Sequence, residues 1–447
     1  MRIVIAGAGE VGFHLAKMMS NEAQNIYIID DNEDRLNYVQ SQIDVYGVKG
    51  NAKNINILKE VKVENCDLLI AATSSEETNL LVCINGKKLG AKRTIARISN
   101  YEGIDTEMRD FYESLGVDTV ISPVELASKE IKRLIGQSAF TNDYEFEGGK
   151  LTVFGITISP NSPLKDKSVV ETTYLNPNRS FKPIALLRKD KTIMVQGDTK
   201  LLQNDIVYFI STPESIDQIT SICGQECYEI KNIMILGGSR IGVLTAELLE
   251  KDYNVILIEK DRKKAEQIAE RLKKTLVINT DGTNVQALEE ENIEDMDAFI
   301  SVTGDSETNI ITSLVAKSHG VKKTIAGVEN IDYINLSHNI GIDTLINKKM
   351  IAASNIFKFI RKGEVEEIAS LHGVDGEIIE FTVKAGTKIT SKPLRHLKMP
   401  ESTNIAGVIR GNEGFIPFGG FQLKEGDKAV VFTLKQSIKE IEKLFHK

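Results

Sequence analysis

The chain carries one sequence pattern twice, and the two copies are 230 residues apart. The glycine turn that begins at Gly7 returns at Gly237, and the run SSEETN at 74–79 returns as GDSETN at 304–309. Further matches at the same offset lie between these stretches. Because so many positions share one offset, we infer a duplicated unit, which limits the fold to architectures with two equivalent domains.

The first copy begins with a strand, a glycine turn, a helix, a second strand and an acid. The apolar run RIVIA opens into GAGEVG at 7–12, and the later run NIYIID ends in Asp30. This order is the dinucleotide-binding fingerprint. In it, Gly7 permits the tight turn, Gly9 lets the backbone approach a phosphate, and Gly12 lets the helix pack closely on the strand.

The acid and the strand ends indicate which ligand such a site would hold. Asp30 can accept hydrogen bonds from a ribose diol and would repel a 2′-phosphate, which disfavours NADP. ATP or ADP would satisfy this pattern as well as NAD, and the alternative is a tight turn that holds no ligand. Thr73 and Ser74 end the fourth predicted strand, and Arg97 ends the fifth. We expect Arg97 to contact phosphate or ribose, with a structural ion pair or an interface as the alternative.

The repeats predict an α/β fold with two Rossmann-like doubly wound parallel sheets, each followed by a small α+β domain. In these small domains, the strand–turn–strand pattern of residues 185–211 is repeated at residues 407–433. The polar stretch 136–149 reads as a joint. The predicted domains are residues 1–136, 137–225, 226–362 and 363–447.

The two copies are not equal. In the second glycine turn Ser239 stands where the first copy has Gly9, and a Cβ there crowds the approach of a pyrophosphate. Gly327 replaces Arg97, while the acid is retained as Glu259. We therefore expect the first site to bind a nucleotide more tightly than the second.

Composition and residue pattern argue against several other functions. The net charge of −8 and the pI near 5.5 disfavour nucleic acid as the partner. No apolar run reaches the roughly 18 residues that a membrane span needs, and the four cysteines suit a reducing compartment. We predict no catalytic residue and no metal site. The alternative function, an NAD-dependent oxidoreductase, would need a substrate region with an acid–base residue, which the short C-terminal segments do not offer.

The repeated unit resembles the RCK family, the regulators of potassium conductance. The resemblance lies in GAGEVG with Asp30, KGNA at 49–52, CDLLIAATSSEETN at 66–79 and IARI at 95–98. The family usually has an aspartate at the place of Asn51. Two full copies of this unit cover nearly the whole chain.

The resemblance implies a nucleotide-sensing regulator with NAD(H), ATP or ADP bound at defined residues. In the first copy it implies a site at Gly7, Ala8, Gly9, Glu10, Val11, Asp30, Thr73, Ser74 and Arg97. In the second copy it implies Gly237, Gly238, Ser239, Arg240, Ile241, Glu259, Thr303 and Gly304. It further implies a homo-oligomer, a dimer or a dimer of dimers, that gates an integral-membrane potassium pore subunit. The expected location is the cytoplasm, peripheral on the inner face of the cell membrane through that partner.

Overall fold

The structure is a computed structural model that describes residues 1–20, 25–99, 106–136, 142–189, 191–225, 228–330, 333, 341–361, 367–370, 374–400 and 402–445. Packing divides the chain into two units, Met1–Ile135 with Ile230–Ile360 and Gly136–Glu229 with Arg361–Lys447. The predicted four-domain boundaries stay predictions. None of the helices in the described ranges is long and apolar enough to cross a membrane.

The first Rossmann-like domain is built on a six-stranded parallel sheet. Its strands are β1 (Arg2–Ala6), β2 (Asn25–Asp30), β3 (Tyr46–Lys49), β4 (Leu68–Ala71), β5 (Thr94–Arg97) and β6 (Thr119–Ile121). Its helices are α1 (Glu10–Ser20), α2 (Glu33–Gln42), α3 (Ile55–Glu60), α4 (Glu76–Leu89), α5 (Thr106–Ser114) and α6 (Pro123–Gly136). The strand order β3-β2-β1-β4-β5-β6 reverses between β1 and β4. In such sheets ligands bind at this switch point, outside the carboxyl ends of the strands.

A small antiparallel domain follows. Its strands are β7 (Asn142–Phe146), β8 (Leu151–Thr157), β9 (Phe181–Arg188), β10 (Lys191–Met194) and β11 (Ile206–Ser211), and it closes with α7 (Ile216–Ile222). The sheet order is β10-β9-β11-β8-β7. The predicted joint at 136–149 is therefore wrong for Asn142–Phe146, which forms an edge strand paired with β8; residues 137–141 lie outside the described residues.

The second Rossmann-like domain repeats the first. Its strands are β12 (Asn232–Leu236), β13 (Asn254–Ile258), β14 (Leu276–Ile278), β15 (Ala298–Ser301), β16 (Lys323–Gly327) and β17 (Thr344–Ile346). Its helices are α8 (Arg240–Leu249), α9 (Arg262–Arg271), α10 (Val285–Glu290), α11 (Ser306–Ser318) and α12 (Lys348–Arg361). The order β14-β13-β12-β15-β16-β17 matches that of the first sheet, strand for strand.

The second small domain has the same antiparallel topology as the first. Its strands are β18 (Glu367–Ser370), β19 (Glu377–Thr382), β20 (Thr403–Arg410), β21 (Glu413–Phe415) and β22 (Lys428–Thr433), followed by α13 (Ile438–Phe445). The sheet order is β18-β19-β22-β20-β21. Buried side chains from both small domains, among them Phe146, Tyr208, Ile378 and Phe432, form one apolar core. The predicted fold class is confirmed.

Local sequence signals place the helix starts that border each switch point. Ser75 caps α4 by accepting a hydrogen bond from the Thr78 N–H at 3.1 Å. Asp305 caps α11 in the same way, with the Thr308 N–H at 2.7 Å. Because these side chains satisfy N–H groups that have no partner in the helix, they fix where each helix begins.

Two helices are exchanged between the Rossmann-like domains. Ala352, Ala353 and Ile356 of α12 are buried in the core cluster of the first domain. In return, α6 lies against the second domain, where Ser128 Oγ donates to the Ile241 carbonyl at 3.2 Å. The Lys132 ammonium of α6 also donates to the Leu248 carbonyl, at 3.0 Å. The two domains therefore share their cores and form one unit.

Candidate functional site

The first glycine turn has the geometry that the sequence predicts. Gly7 has φ +108°, and a Cβ built there would lie 3.0 Å from the Thr73 nitrogen, so the turn lies directly against the end of β4. A Cβ on Gly12 would lie 1.9 Å from the Gly7 carbonyl oxygen. At Gly9, by contrast, an added Cβ would meet nothing within 4 Å. Two glycines thus hold the turn closed on the protein side, and the third leaves space on the ligand side.

The acid at the end of β2 braces this turn. Asp30 is 8% exposed, and its Oδ2 accepts a hydrogen bond from the Ala8 N–H at 2.6 Å. Its Oδ1 accepts from the Asn32 N–H at 2.9 Å. Each carboxylate oxygen has a second lone pair, so Asp30 can still accept from a ribose hydroxyl.

A buried asparagine joins the ends of β4 and β5. Asn79 Oδ1 accepts from the Thr73 N–H at 2.9 Å and from the Thr73 hydroxyl at 2.7 Å. Its amide nitrogen donates to the Arg97 carbonyl at 2.8 Å. Asn309 makes the same bonds to Thr303 and Gly327 in the second domain. The repeat marked both asparagines as matched positions, but their positioning role emerges only from the structure.

These elements surround a cavity of about 460 Å³, which we call the first cavity. Eight of the nine residues predicted for the first site line it: Gly7, Gly9, Glu10, Val11, Asp30, Thr73, Ser74 and Arg97. Ala8 contributes its N–H to Asp30 instead. The lining residues that the sequence did not predict include Asp31, Arg35, Asn51, Lys53, Ser75, Thr78 and Lys349. Arg35 and Lys53 could have been found, because they follow the carboxyl ends of β2 and β3.

Basic side chains outnumber acidic ones, four to three, in the lining of the first cavity. Arg35, Lys53, Arg97 and Lys349 line it together with three acids, and two helix N-termini adjoin it. Arg97 Nε is buried and has no hydrogen-bond partner in the part of the chain that the structure describes. Burial lowers the pKa of Arg97, against the attraction of Glu76 and Glu329, and the guanidinium stays charged. A buried guanidinium nitrogen without a partner, beside helix N-termini, fits a phosphate-bearing ligand.

The second glycine turn borders a smaller second cavity, of about 320 Å³. Ser239, Arg240, Ile241, Thr303 and Gly304 line it as predicted, but Gly237, Gly238 and Glu259 are not among its lining residues. Arg97, which lines the first cavity, also lines this one. The second cavity therefore lies on the phosphate side of the predicted site and away from its acid.

The acid of the second domain is engaged within the protein. Glu259 Oε2 accepts from the Gly238 N–H at 3.1 Å and forms an ion pair with the Lys264 ammonium at 2.7 Å. Burial would raise the pKa of Glu259, but bonds from the Asp261 N–H and Lys264 lower it overall. Ser239 caps α8, accepting from the Gly242 N–H and donating to the Val302 carbonyl at 2.6 Å. Ser239 and Glu259 thus serve the fold of this turn.

The histidines and cysteines of the described residues add no metal cluster to these cavities. No group of three or more His, Cys, Asp or Glu that could hold a metal occurs among the described residues. His14 is half-buried against Phe13, and burial, aided by Lys17, lowers its pKa despite Glu10. Cys66, Cys83 and Cys223 are buried thiols, and Cys227 lies outside the described residues.

Two Rossmann-like domains with glycine turns, each followed by a small antiparallel domain, define the tandem RCK class of protein. Residues 3–123 and 233–348 match the model of the TrkA-N domain, and residues 153–224 and 378–446 match that of the TrkA-C domain. The chain belongs to the TrkA family.

Full-length relatives support this assignment. A Methanosarcina mazei protein named Trk system potassium uptake protein TrkA homolog 1 is 34% identical over 454 residues, which cover all of both chains. The Haemophilus influenzae Trk system potassium uptake protein TrkA is 32% identical over 452 residues, covering 100% of this chain and 98% of the relative. Among solved structures, the GsuK RCK domain has a TM-score of 0.61 at 17% identity, covering 99% of this chain and 94% of that one. This last likeness confirms the fold.

Proposed function

We propose that the chain is a nucleotide-sensing regulatory subunit of a Trk-type potassium uptake system. The observation that carries the proposal is the first cavity, in which open space at Gly9, the acid Asp30 and the unpartnered Arg97 Nε converge. The names of the full-length relatives support potassium uptake as the process. A ligand that binds one arrangement of the domains better than another shifts their balance, and a bound pore would respond to that shift.

The ligand of the first site is an adenosine nucleotide, NAD(H), ATP or ADP. Asp30 suits a free ribose diol, and the cationic lining suits a phosphate chain. Solved GsuK structures with NAD (TM-score 0.60) and with ADP (TM-score 0.50) have titles that name these ligands, which supports both as candidates. The second site binds a nucleotide more weakly than the first, because its acid, Glu259, is already paired with Lys264.

The partner is an integral-membrane potassium pore subunit of the TrkH type. We place the chain in the cytoplasm, on the inner face of the membrane through this partner, as a dimer or dimer of dimers, and we assign it no role with nucleic acid. The names of the full-length relatives do not favour the alternative function, an NAD-dependent oxidoreductase. The chain would bind NADH without oxidising or reducing a substrate.

A flux assay tests the proposal. Potassium flux through the pore subunit in liposomes should depend on this chain and change when ATP or NADH is added. Asp30→Ala and Arg97→Ala should weaken nucleotide binding about 5- to 150-fold, the equivalent of one lost buried or charged hydrogen bond, and blunt the response without preventing assembly. The proposal would be refuted if potassium flux did not depend on the chain with any nucleotide tested, or if the chain turned over a 2-hydroxy acid or aldehyde with NAD.

A further inference from the structure

A lysine from the second Rossmann-like domain lies in the nucleotide site of the first. Lys349 is the second residue of α12, and its side chain is 22% exposed. Its Nζ is 2.7 Å from Glu10 Oε2 and 2.8 Å from Glu329 Oε2. Glu10 belongs to the first glycine turn, and Glu329 follows β16 of the second domain. One ammonium therefore joins the two domains beside the place where phosphate is expected.

Glu10 poses an electrostatic problem that Lys349 solves. The glycine turn offers N–H groups and the positive end of the α1 dipole to a phosphate, but Glu10 places a carboxylate in the same turn. That carboxylate competes with an anionic ligand for these groups and repels it. Because the Lys349 ammonium pairs with Glu10, it removes the repulsion and supplies positive charge next to the turn.

The ammonium is charged and can change partners. Burial would lower the pKa of Lys349, but hydrogen bonds from its ammonium to Glu10 and Glu329 raise it overall. An ammonium has three donors on a flexible stem, and two carboxylates use them here. Glu329 keeps a second cation when Lys349 leaves, because the Lys348 ammonium lies 2.5 Å from its Oε1.

We propose that Lys349, contributed by the second domain, is a phosphate-binding residue of the first site and exchanges its pairing with Glu329 for the phosphate chain of the nucleotide. This inference rests on the proposed function. It makes Lys349 a determinant of specificity for the number of phosphates, since its attraction grows with the negative charge of the chain.

The exchange also links the two cavities. Glu329 and Lys348 line the second cavity, together with Arg97, which borders both. When Lys349 pairs with phosphate, Glu329 loses one of its two lysine partners, and the second cavity becomes more negative. A nucleotide in the first site therefore lowers the affinity of the second cavity for anions.

Calorimetry on the full-length chain with AMP, ADP and ATP tests the proposal. Lys349→Met should weaken ATP about 10- to 150-fold, as expected for one charge-assisted hydrogen bond, and AMP far less. Lys349→Arg should keep most of the preference for ATP over AMP. Lys348→Met is the matched control, because it removes the same charge from the same helix and from the same acid, Glu329. Lys348 lines the second cavity and not the first. Lys348→Met should leave the ratio of ATP to AMP affinity unchanged.

A double-mutant cycle separates direct contact from a structural effect. Glu10→Gln added to Lys349→Met should recover part of the ATP affinity, because it removes the carboxylate left unpaired. Equal losses for AMP, ADP and ATP would overturn the inference alone. Failure of the wild-type chain to bind any of them or NADH would overturn the proposed function as well. Should Lys349→Met not fold, Lys349→Gln compared with Lys349→Arg gives the same ratio test.

Discussion

At the scale of single residues, Lys182 is a lysine whose ammonium is largely removed from water. Lys182, in β9, places its ammonium 2.7 Å from Asn404 Oδ1 and 3.1 Å from the Ile405 carbonyl. Both of these partners are neutral, and desolvation lowers the pKa of Lys182 to about 8. The folded state therefore disfavours the charged form of Lys182, and this lowers the free energy of unfolding of the second packing unit.

We predict that the stability cost of Lys182 depends on pH. The folded pKa lies below the unfolded value of about 10.4, so the cost is absent above pH 10.4, grows as pH falls, and is complete below about pH 8. Between pH 8 and pH 10, the free energy of unfolding of the wild type should rise by about 1–3 kcal/mol relative to that of Lys182→Met. Paired denaturation curves at several pH values measure this difference. A difference that stays constant with pH would contradict the assignment.

The residues of the first site differ in how well the sequence could reveal them. Gly7, Gly9 and Asp30 follow a local pattern, because the turn, the helix N-terminus and the acid all lie within one strand–helix–strand unit. Lys349 carries no such signal. It reaches the site only because α12 lies against the first domain, and no spacing along the chain encodes that packing.

The glycine turn is the element on which binding and folding can be separated. Gly9→Ser should leave the fold intact, since a Cβ there meets nothing within 4 Å, but should weaken nucleotide binding because the side chain enters the ligand space. Gly12→Ala should instead unfold the turn, since its Cβ would lie 1.9 Å from the Gly7 carbonyl oxygen. Thermal melts with calorimetry on both variants measure this. Normal affinity in Gly9→Ser would show that the ligand does not approach this position.

At the scale of elements, the sequence predicted the parallel strands well and one antiparallel strand poorly. β1 and β4 are continuous apolar runs bounded by clear signals, so their existence and order follow from pattern alone. β7 has the sequence NDYEF, which is polar enough to read as a joint. It is an edge strand that pairs with β8, and among its side chains that the structure describes, Tyr144 to Phe146, Phe146 alone is fully buried. Edge strands need little apolar sequence, so periodicity does not reveal them.

At the scale of the whole molecule, the exchanged helices predict how fragments behave. A chain ending at Gln225 keeps α6 but loses both its docking surface on the second domain and the α12 residues of its own core. We expect two copies of this fragment to pair, each α6 taking the place of α12. Light scattering after gel filtration should give twice the fragment mass. Co-expression with residues 226–447 should instead give a one-to-one complex, and a folded monomer would contradict the prediction.

The fusion of two paired domains into one chain has a consequence for how their sites can change. In a symmetric dimer of identical chains, every substitution appears in both sites at once. Here Lys264 can hold Glu259 while Asp30 has no such lysine at the equivalent position, which is Asp34. A substitution can therefore change one site and leave the other unchanged. The covalent link keeps the two unequal domains together at any dilution.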